Sequence, residues 1–253
     1  MAEERREIPQ MSAPIHDYPI RDEILWQFGP RLDGLDVLEI GPGSGYTAWK
    51  LAPKVGQMAV ADISNLRIDW ALSYVADFTK PGAQRTLGKF DFIYSLDMLE
   101  CVKIGEGSQV FDNIRQCLNR EGTALITFPN HSKFPNNYPT LDQLIYEMRI
   151  GGIGADKFRI STVELRGWAQ FWYKWGHDVS MGILRDLRKS ESGMNYKTTW
   201  AFKKRNKLER FKPIIHGYWA ILNAIIKLGG PAYRQKQIKG EIFGKQILIR
   251  IFA

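Results

Sequence analysis

Apolar residues along this chain come in two rhythms. Short aliphatic runs bounded by turn residues, near residues 35–40, 58–62, 90–95 and 123–128, have the length and flanks of buried strands. Between them apolar positions recur every three or four residues, the spacing of one helix face. Near residues 17–29 the chain opens with such a face, made by Ile20, Ile24, Leu25 and Phe28. A further strand is expected near Leu72 to Val75, close behind a helix. Strands alternating with helices predict a parallel sheet joined by crossovers. After the fifth strand a loop and short helix run from His131 to Gly154, with Gly151-Gly152-Ile153-Gly154 marking the end. Ser161-Thr162-Val163-Glu164 reads as a capping box. The helix it would open carries Leu165, Trp168, Phe171, Trp172 and Trp175 along one side, a core stripe or a platform for a sugar or lipid. Asp178 to Leu187 reads as strand six, and Phe243 to Phe252 as a final antiparallel strand at the sheet edge. The expected fold is α/β: a seven-stranded, mostly parallel sheet with helices on both faces and an antiparallel last strand, plus a helical insertion near the C-terminus.

The loop after the first strand adds chemistry. Val37-Leu38-Glu39-Ile40 runs straight into Gly41-Pro42-Gly43-Ser44-Gly45-Tyr46. Alternating glycines offer little bulk and tolerate positive φ. A ligand can approach the backbone there before a helix near Thr47 exposes its unpaired N–H groups. A dinucleotide cradle needs G-x-G-x-x-G, but Tyr46 holds the third place, and the glycines read G-x-G-x-G behind Glu39. The second apolar run, Met58 to Ala61, ends in Asp62, seventeen residues after Gly45. A carboxylate at a strand tip can accept from both ribose hydroxyls. Val75-Ala76-Asp77-Phe78 places another acid at the next loop.

Two later stretches complete the series. Lys89 to Glu100 covers strand four, and Leu118-Asn119-Arg120-Glu121-Gly122 leads into a strand ending Phe128-Pro129-Asn130. In this order, over roughly residues 20 to 180, the motifs resemble those of the class I S-adenosylmethionine-dependent methyltransferases. The family's E/D-x-G-x-G-x-G matches Glu39 to Gly45. Its F-D-x-V-x-x-x-x-x-L-E-H resembles Phe90 to Cys101, and its L-x-P-G-G … P-N resembles Leu118 to Asn130. Cys101 stands where the family often has histidine, so no role of that histidine carries over. The resemblance implies S-adenosylmethionine as cofactor, held by Glu39, Gly41, Gly43, Gly45, Asp62, Ile63, Asp77, Phe78 and Ser95. It also implies that the acid at 77 takes the adenine amino group while the neighbouring backbone N–H meets a ring nitrogen. Read without the resemblance, Asp77 is equally a solvated loop acid, and Asp91 is a residue that starts a strand.

Methyl transfer to a hydroxyl benefits from a general base. Of the four histidines, His131 follows Pro129-Asn130 at the end of strand five, where open α/β sheets bind substrate. Asp97 and Glu100, just beyond strand four, are the next catalytic candidates. His16 lies in the N-terminal segment, His177 at a helix end and His216 in an apolar insertion. No His/Cys cluster has metal-ligand spacing, so no metal ligands are named, although carboxylates from distant loops could still bind Mg²⁺. No Asn/Asp-Pro-Pro-Tyr/Phe follows strand four, so resemblance to amino-methylating DNA and RNA enzymes of that type is lacking.

Composition sets the remaining bounds. With 253 residues and 44% apolar content, the chain is expected to form one domain over 1–253. A cap segment over about 1–30 and a basic helical insertion over about 189–241 complete it. Cys101 and Cys117 form no pair or ligand motif, which suits a reducing, cytoplasmic setting. The charged N-terminus lacks the apolar core of a signal peptide, and no apolar stretch reaches the ~20 residues of a membrane span.

Charge divides unevenly. Met181 to Ala253 holds sixteen Lys and Arg against four Asp and Glu, a balance of +12, whereas the first 180 residues sum to −4. Lys203-Lys204-Arg205-Asn206-Lys207 will attract polyanions or an anionic membrane surface, or serve as a solvated run. The apolar stretch from Pro213 to Leu228 suits a helix capping the site or lying at a membrane surface. Three functional readings result. The first is O-methylation of a hydroxyl on a sugar, glycan or related small molecule, with peripheral contact to anionic membrane through the tail. The second is RNA methylation with the tail tracking phosphates. The third is a non-catalytic scaffold that binds S-adenosylmethionine.

Overall fold

In the computed structural model, which describes residues 18–43, 45–66, 70–130, 138, 140–172, 221, 224–225, 228–238 and 245–253, the strands follow the apolar runs. The first helix, α1, is Tyr18–Phe28. Five strands are parallel neighbours: β1 (Asp36–Ile40), β2 (Gln57–Asp62), β3 (Leu72–Val75), β4 (Phe90–Leu96) and β5 (Leu118–Asn130). Three more are β6 (Phe158–Leu165), β7 (Tyr233–Gln237) and β8 (Lys245–Phe252). Among the described residues the sheet has eight strands, in the order β3-β2-β1-β4-β5-β8-β6-β7, rather than seven. Two of these were not expected: β6, and β7, a short strand inside the stretch read as the helical insertion.

Two expectations about the later strands are corrected. Residues 161–164 do not open a helix but lie inside β6. The capping signal loses to a ladder: Ser161 and Thr162 sit opposite Leu248 and Ile247 of β8. Their hydroxyls are also engaged, Ser161 accepting from Gln235 Nε2 at 2.9 Å. Helix appears only at 167–172; Trp175 and the strand expected at 178–187 lie outside the described residues. The second correction concerns the last strand, which is not at the edge. β8 runs antiparallel between β5 and β6. Paired on both edges, β8 has its backbone N–H and C=O groups met by two neighbours, and Ile247, Leu248, Ile249 and Ile251, pointing to both faces, are all buried.

Among the described residues no helix joins β2 to β3. Nine residues separate them, of which 67–69 lie outside the described residues. Leu72 and Val75 are left exposed.

One hydrophobic cluster lies on one face of the sheet. Leu38, Ile93, Ala124, Ile126 and Ile249 pack with Val110, Phe111 and Ile114 of α3 (Gly107–Cys117) and Leu144 and Met148 of α4 (Leu141–Ile150). Thr140 starts α4 by accepting from Gln143 N at 3.2 Å, an N-cap that satisfies an otherwise orphaned donor. On the opposite face α1 ends at Gly29, whose N–H bonds to Leu25 O at 2.8 Å. A Cβ there would lie 3.3 Å from Phe92 Cζ and 2.5 Å from Leu25 O, so glycine lets the helix end against the strand.

By contacts the chain falls into two units, one of residues 1–13, 24–164 and 235–253 and the other of residues 14–23 and 165–234. Within the second, Arg166 N bonds to Ala232 O at 2.9 Å, and a Cβ on Gly229 would meet the Trp168 ring at 2.7 Å. Of the apolar insertion residues described, Ile221, Ala224 and Leu228 are exposed and Ile225 is half-buried. No helix among the described residues is long and apolar enough to cross a membrane.

Candidate active site

The chain leaves β1 toward β2 and β3 on one side and returns to β4 on the other. That reversal opens a crevice at the C-terminal ends of β1 and β4, where sheets of this kind bind ligands. The described residues among those singled out for the site converge on this edge.

Gly41, Gly43 and Gly45 have φ of 68°, 57° and 73°, so each needs the left-handed region that glycine occupies without strain. Gly41 N bonds to Ala61 O at 2.9 Å, and a Cβ there would sit 2.9 Å from Met98 Cγ. Gly45 starts α2 (Tyr46–Leu51), whose first turn has no side-chain cap of its own from that residue. Glu39 supplies a carboxylate instead. It is buried, and its Oε2 accepts from Ala48 N at 3.1 Å, so it anchors the helix start from inside the protein. Ser95 has a similar supporting position: fully buried, it donates through Oγ to Ile40 O at 3.0 Å, tying β4 to β1 at the crevice.

Asp62 and Asp77 are built alike. Asp62 Oδ1 accepts from Ser64 N at 2.8 Å and Ser64 Oγ at 2.6 Å. Asp77 Oδ1 accepts from Thr79 N at 2.9 Å and Thr79 Oγ1 at 2.6 Å. Each acid closes a turn through a Ser or Thr two residues on. Among the described residues both donors fall on one oxygen, leaving Oδ2 available to a ligand. The Thr79 hydroxyl is the main reason the Asp77 carboxyl is held below its ordinary value; burial opposes it, and the Thr79 amide and Lys80 add to it. Beside Asp62, Ile63 is 75% exposed, an apolar surface next to a carboxylate. The Phe78 ring is buried in the core, so only its backbone can meet a ligand.

Asp97 closes the edge on the other side of the crevice. It is the one non-glycine residue among those described with positive φ, 64°, a conformation that costs an L-residue about 1–3 kcal/mol and that surrounding bonds must hold. Its N–H bonds to Thr127 O at 2.7 Å. Its Oδ1 accepts from Thr127 Oγ1 at 3.2 Å and Gln246 Nε2 at 2.9 Å.

The family model described as a methyltransferase domain matches residues 11–181, more than half of the chain. The chain belongs to that methyltransferase family. Among solved structures, the phosphoethanolamine N-methyltransferase 2 of Haemonchus contortus, with phosphomonomethylethanolamine and S-adenosylhomocysteine, is similar over 93% of this chain and 52% of its own, at 16% identity and a TM-score of 0.53. The same enzyme with S-adenosyl-L-methionine gives a TM-score of 0.50 over the same shares. A TehB-like SAM-dependent methyltransferase from Corynebacterium glutamicum is 19% identical over 58% of this chain and 76% of its own, with a TM-score of 0.45. The methyltransferase chain described here spans about half the length of the Haemonchus enzyme, and at these identities the likeness is one of fold. No curated protein matches.

The other residues of the methyltransferase edge complete the picture. Glu100 and Cys101 lie in the short turn after β4. The Cys101 thiol is pushed up by partial burial, then by the Glu100 and Asp97 carboxylates, so the three groups share one neighbourhood and the thiol stays protonated at neutral pH. Cys117 is pushed up to about 11, chiefly by burial, which makes it an inert core residue. His131, like His16, His177 and His216, lies outside the described residues. No cluster of metal-binding side chains occurs among the described residues. A cavity of about 200 Å³ opens at the opposite ends of the strands, lined by Phe28, Phe92, Leu125, Arg250 and Phe252 among others; none of the expected site residues lines it.

Sequence reasoning missed four participants: Ser64, Thr79, Thr127 and Gln246. The first two carried a signal, a hydroxyl two residues after each acid. Gln246 carried none, because its proximity to Asp97 exists only once β8 has entered the sheet.

Proposed function

We propose that this chain is an S-adenosylmethionine-dependent methyltransferase acting on a hydroxyl of a sugar, glycan or related small molecule. The observation that carries the cofactor assignment is the run of three positive-φ glycines between a buried strand and a helix start, flanked by two carboxylates with an oxygen available. This donor and acceptor set fits the group. The glycine loop lets the amino acid portion approach the backbone, and Asp62 Oδ2 accepts from the ribose hydroxyls. Ile63 offers apolar surface to the base, and Asp77 with the Phe78 N–H meets its edge. Glu39 and Ser95 act from behind, fixing the loop. Bound there, S-adenosylmethionine supplies a methyl group on a sulfonium, open to in-line displacement.

The acceptor assignment is supported by Asp97. A carboxylate held by two donors in a strained backbone position is suited to orient a hydroxyl and take its proton. His131, one residue beyond β5 in sequence, is the second candidate for that role, and Glu100 the third. The net charge of +12 over residues 181–253 favours an acceptor presented at an anionic surface, a membrane before RNA. Labelled S-adenosylmethionine offered with hydroxylated glycans, lipid extracts, phosphoethanolamine and RNA tests this reading. Transfer to a hydroxyl acceptor supports it. Transfer only to an amine or to RNA replaces the acceptor class, and binding without transfer to any acceptor leaves a scaffold.

A further inference from the structure

Asn113 stands on α3 with no exposure to solvent. Its Nδ2 donates to the carbonyl of Phe78 at 2.8 Å and to that of Lys80 at 2.9 Å. Both amide hydrogens are thus spent on the turn after β3, the turn that carries Asp77. Only the nitrogen end of the amide can face two carbonyl oxygens, which fixes its orientation. The other end is costly: Asn113 Oδ1 is buried and has no partner among the described residues. An orphaned buried acceptor destabilises a fold, so packing does not explain an asparagine here. What the residue contributes is its grip on the turn.

That turn is held from two directions. Thr79 bonds back to Asp77 Oδ1, and Asn113 takes the two carbonyls from beneath. A further tie, Gln84 Nε2 to Gln116 Oε1 at 2.7 Å, joins α3 to the segment that follows. The Phe78 ring enters the core and its carbonyl goes to Asn113. Among the described residues, the Phe78 N–H has no protein partner.

We propose that Asn113 is a positioning residue that sets base specificity, holding the Asp77–Lys80 turn so that the Asp77 carboxylate and the Phe78 N–H face a 6-aminopurine as adjacent acceptor and donor. This rests on the reading of that turn as the cofactor's adenine contact. A 6-aminopurine offers a donor beside an acceptor on one edge, the complement of that pair. A 6-oxopurine offers an acceptor where the carboxylate needs a donor, and a site built for a donor rejects it.

Calorimetry with S-adenosylhomocysteine and with its inosine counterpart, alongside thermal melting, tests the proposal on the wild type, Asn113→Ala and Asn113→Leu. The wild type is expected to prefer the adenosine compound by at least about tenfold. Both variants are expected to lose about tenfold for the adenosine compound while changing little for the inosine one, so the preference collapses. Asn113→Leu keeps the core filled, so specificity can be read if Asn113→Ala fails to fold. A lower melting temperature with preference intact, or equal weakening toward both compounds, overturns the proposal in favour of a merely structural asparagine. Absence of S-adenosylhomocysteine binding by the wild type overturns the cofactor reading itself, a distinct outcome.

Discussion

Gln246 Nε2 lies 2.9 Å from Asp97 Oδ1, joining residues 149 positions apart. The bond spans β4 to β8 across β5, and Thr127 of β5 adds a donor to the same oxygen. A residue at the C-terminal tip of a strand thereby has its carboxylate fixed by two other strands, with its backbone held at positive φ.

Replacement of Asp97 by alanine is expected to lower turnover about 10²–10⁴-fold while S-adenosylhomocysteine affinity stays near wild type. Gln246→Ala removes one hydrogen bond to that carboxylate and is expected to cost about tenfold. Single-turnover rates beside calorimetry check both. An unchanged rate in Asp97→Ala, with a loss in His131→Ala, moves the proton to the histidine.

At Asp62, substitution by alanine removes the proposed ribose acceptor together with the turn closed on Ser64. A hydrogen bond to a charged group contributes about 1.5–3 kcal/mol, so affinity for S-adenosylhomocysteine is expected to fall roughly 10–150-fold. Ser64→Ala leaves the carboxylate and loosens its orientation, with a smaller loss. Equal affinity in Asp62→Ala and wild type would remove Asp62 from the site.

Gly41→Ala combines two faults. The backbone at φ 68° is unfavourable for alanine, and its Cβ would press on Met98 Cγ at 2.9 Å. A cost of about 1–3 kcal/mol in stability is expected, with cofactor binding lost because the loop must shift. Gly41→Ala with Met98→Ala relieves the contact but not the dihedral, so denaturant melts should show partial recovery.

The Asp77 carboxyl is held below its ordinary value in the folded protein, chiefly by the Thr79 hydroxyl. Its ionised form therefore favours the folded state above the unfolded-state value of about 3.9, and that contribution is lost as pH falls through the lower folded value. Thr79→Val is expected to move the carboxyl up toward the ordinary value. Carboxyl titration by NMR should show the shift, and S-adenosylhomocysteine binding should fail at a higher pH in the variant.

The basic C-terminal third is expected to bind anionic vesicles in a salt-sensitive way. Co-sedimentation with phosphatidylserine vesicles and with RNA across a salt series decides between them. A steep salt slope with RNA and none with vesicles would turn the acceptor reading toward RNA.

Much of the cofactor edge was legible because its signals are local. Three glycines at alternate positions after an apolar run permit a loop with positive φ, and an acid ending such a run falls at the end of its strand by strand geometry alone. The supporting side chains were legible in identity but not in task. Glu39 appears in the motif, yet its burial and its bond to Ala48 follow from how α2 returns over β1.

The sequence by itself determined the parallel half of the sheet, the glycine loop and the positions of Asp62 and Asp77, because hydrophobic period, turn residues and strand length act over a few residues at a time. Tertiary structure decided the rest. It turned 158–165 into β6 despite a capping pattern, because Ser161 and Thr162 found ladder partners in β8. It placed β8 inside the sheet, because β8 found ladder partners on both edges, β5 on one side and β6 on the other. It also brought Gln246 to Asp97 and Asn113 to the Asp77 turn. Those meetings join residues 149 and at least 33 positions apart, and no local preference encodes them. They exist because strand order fixes which distant backbones become neighbours.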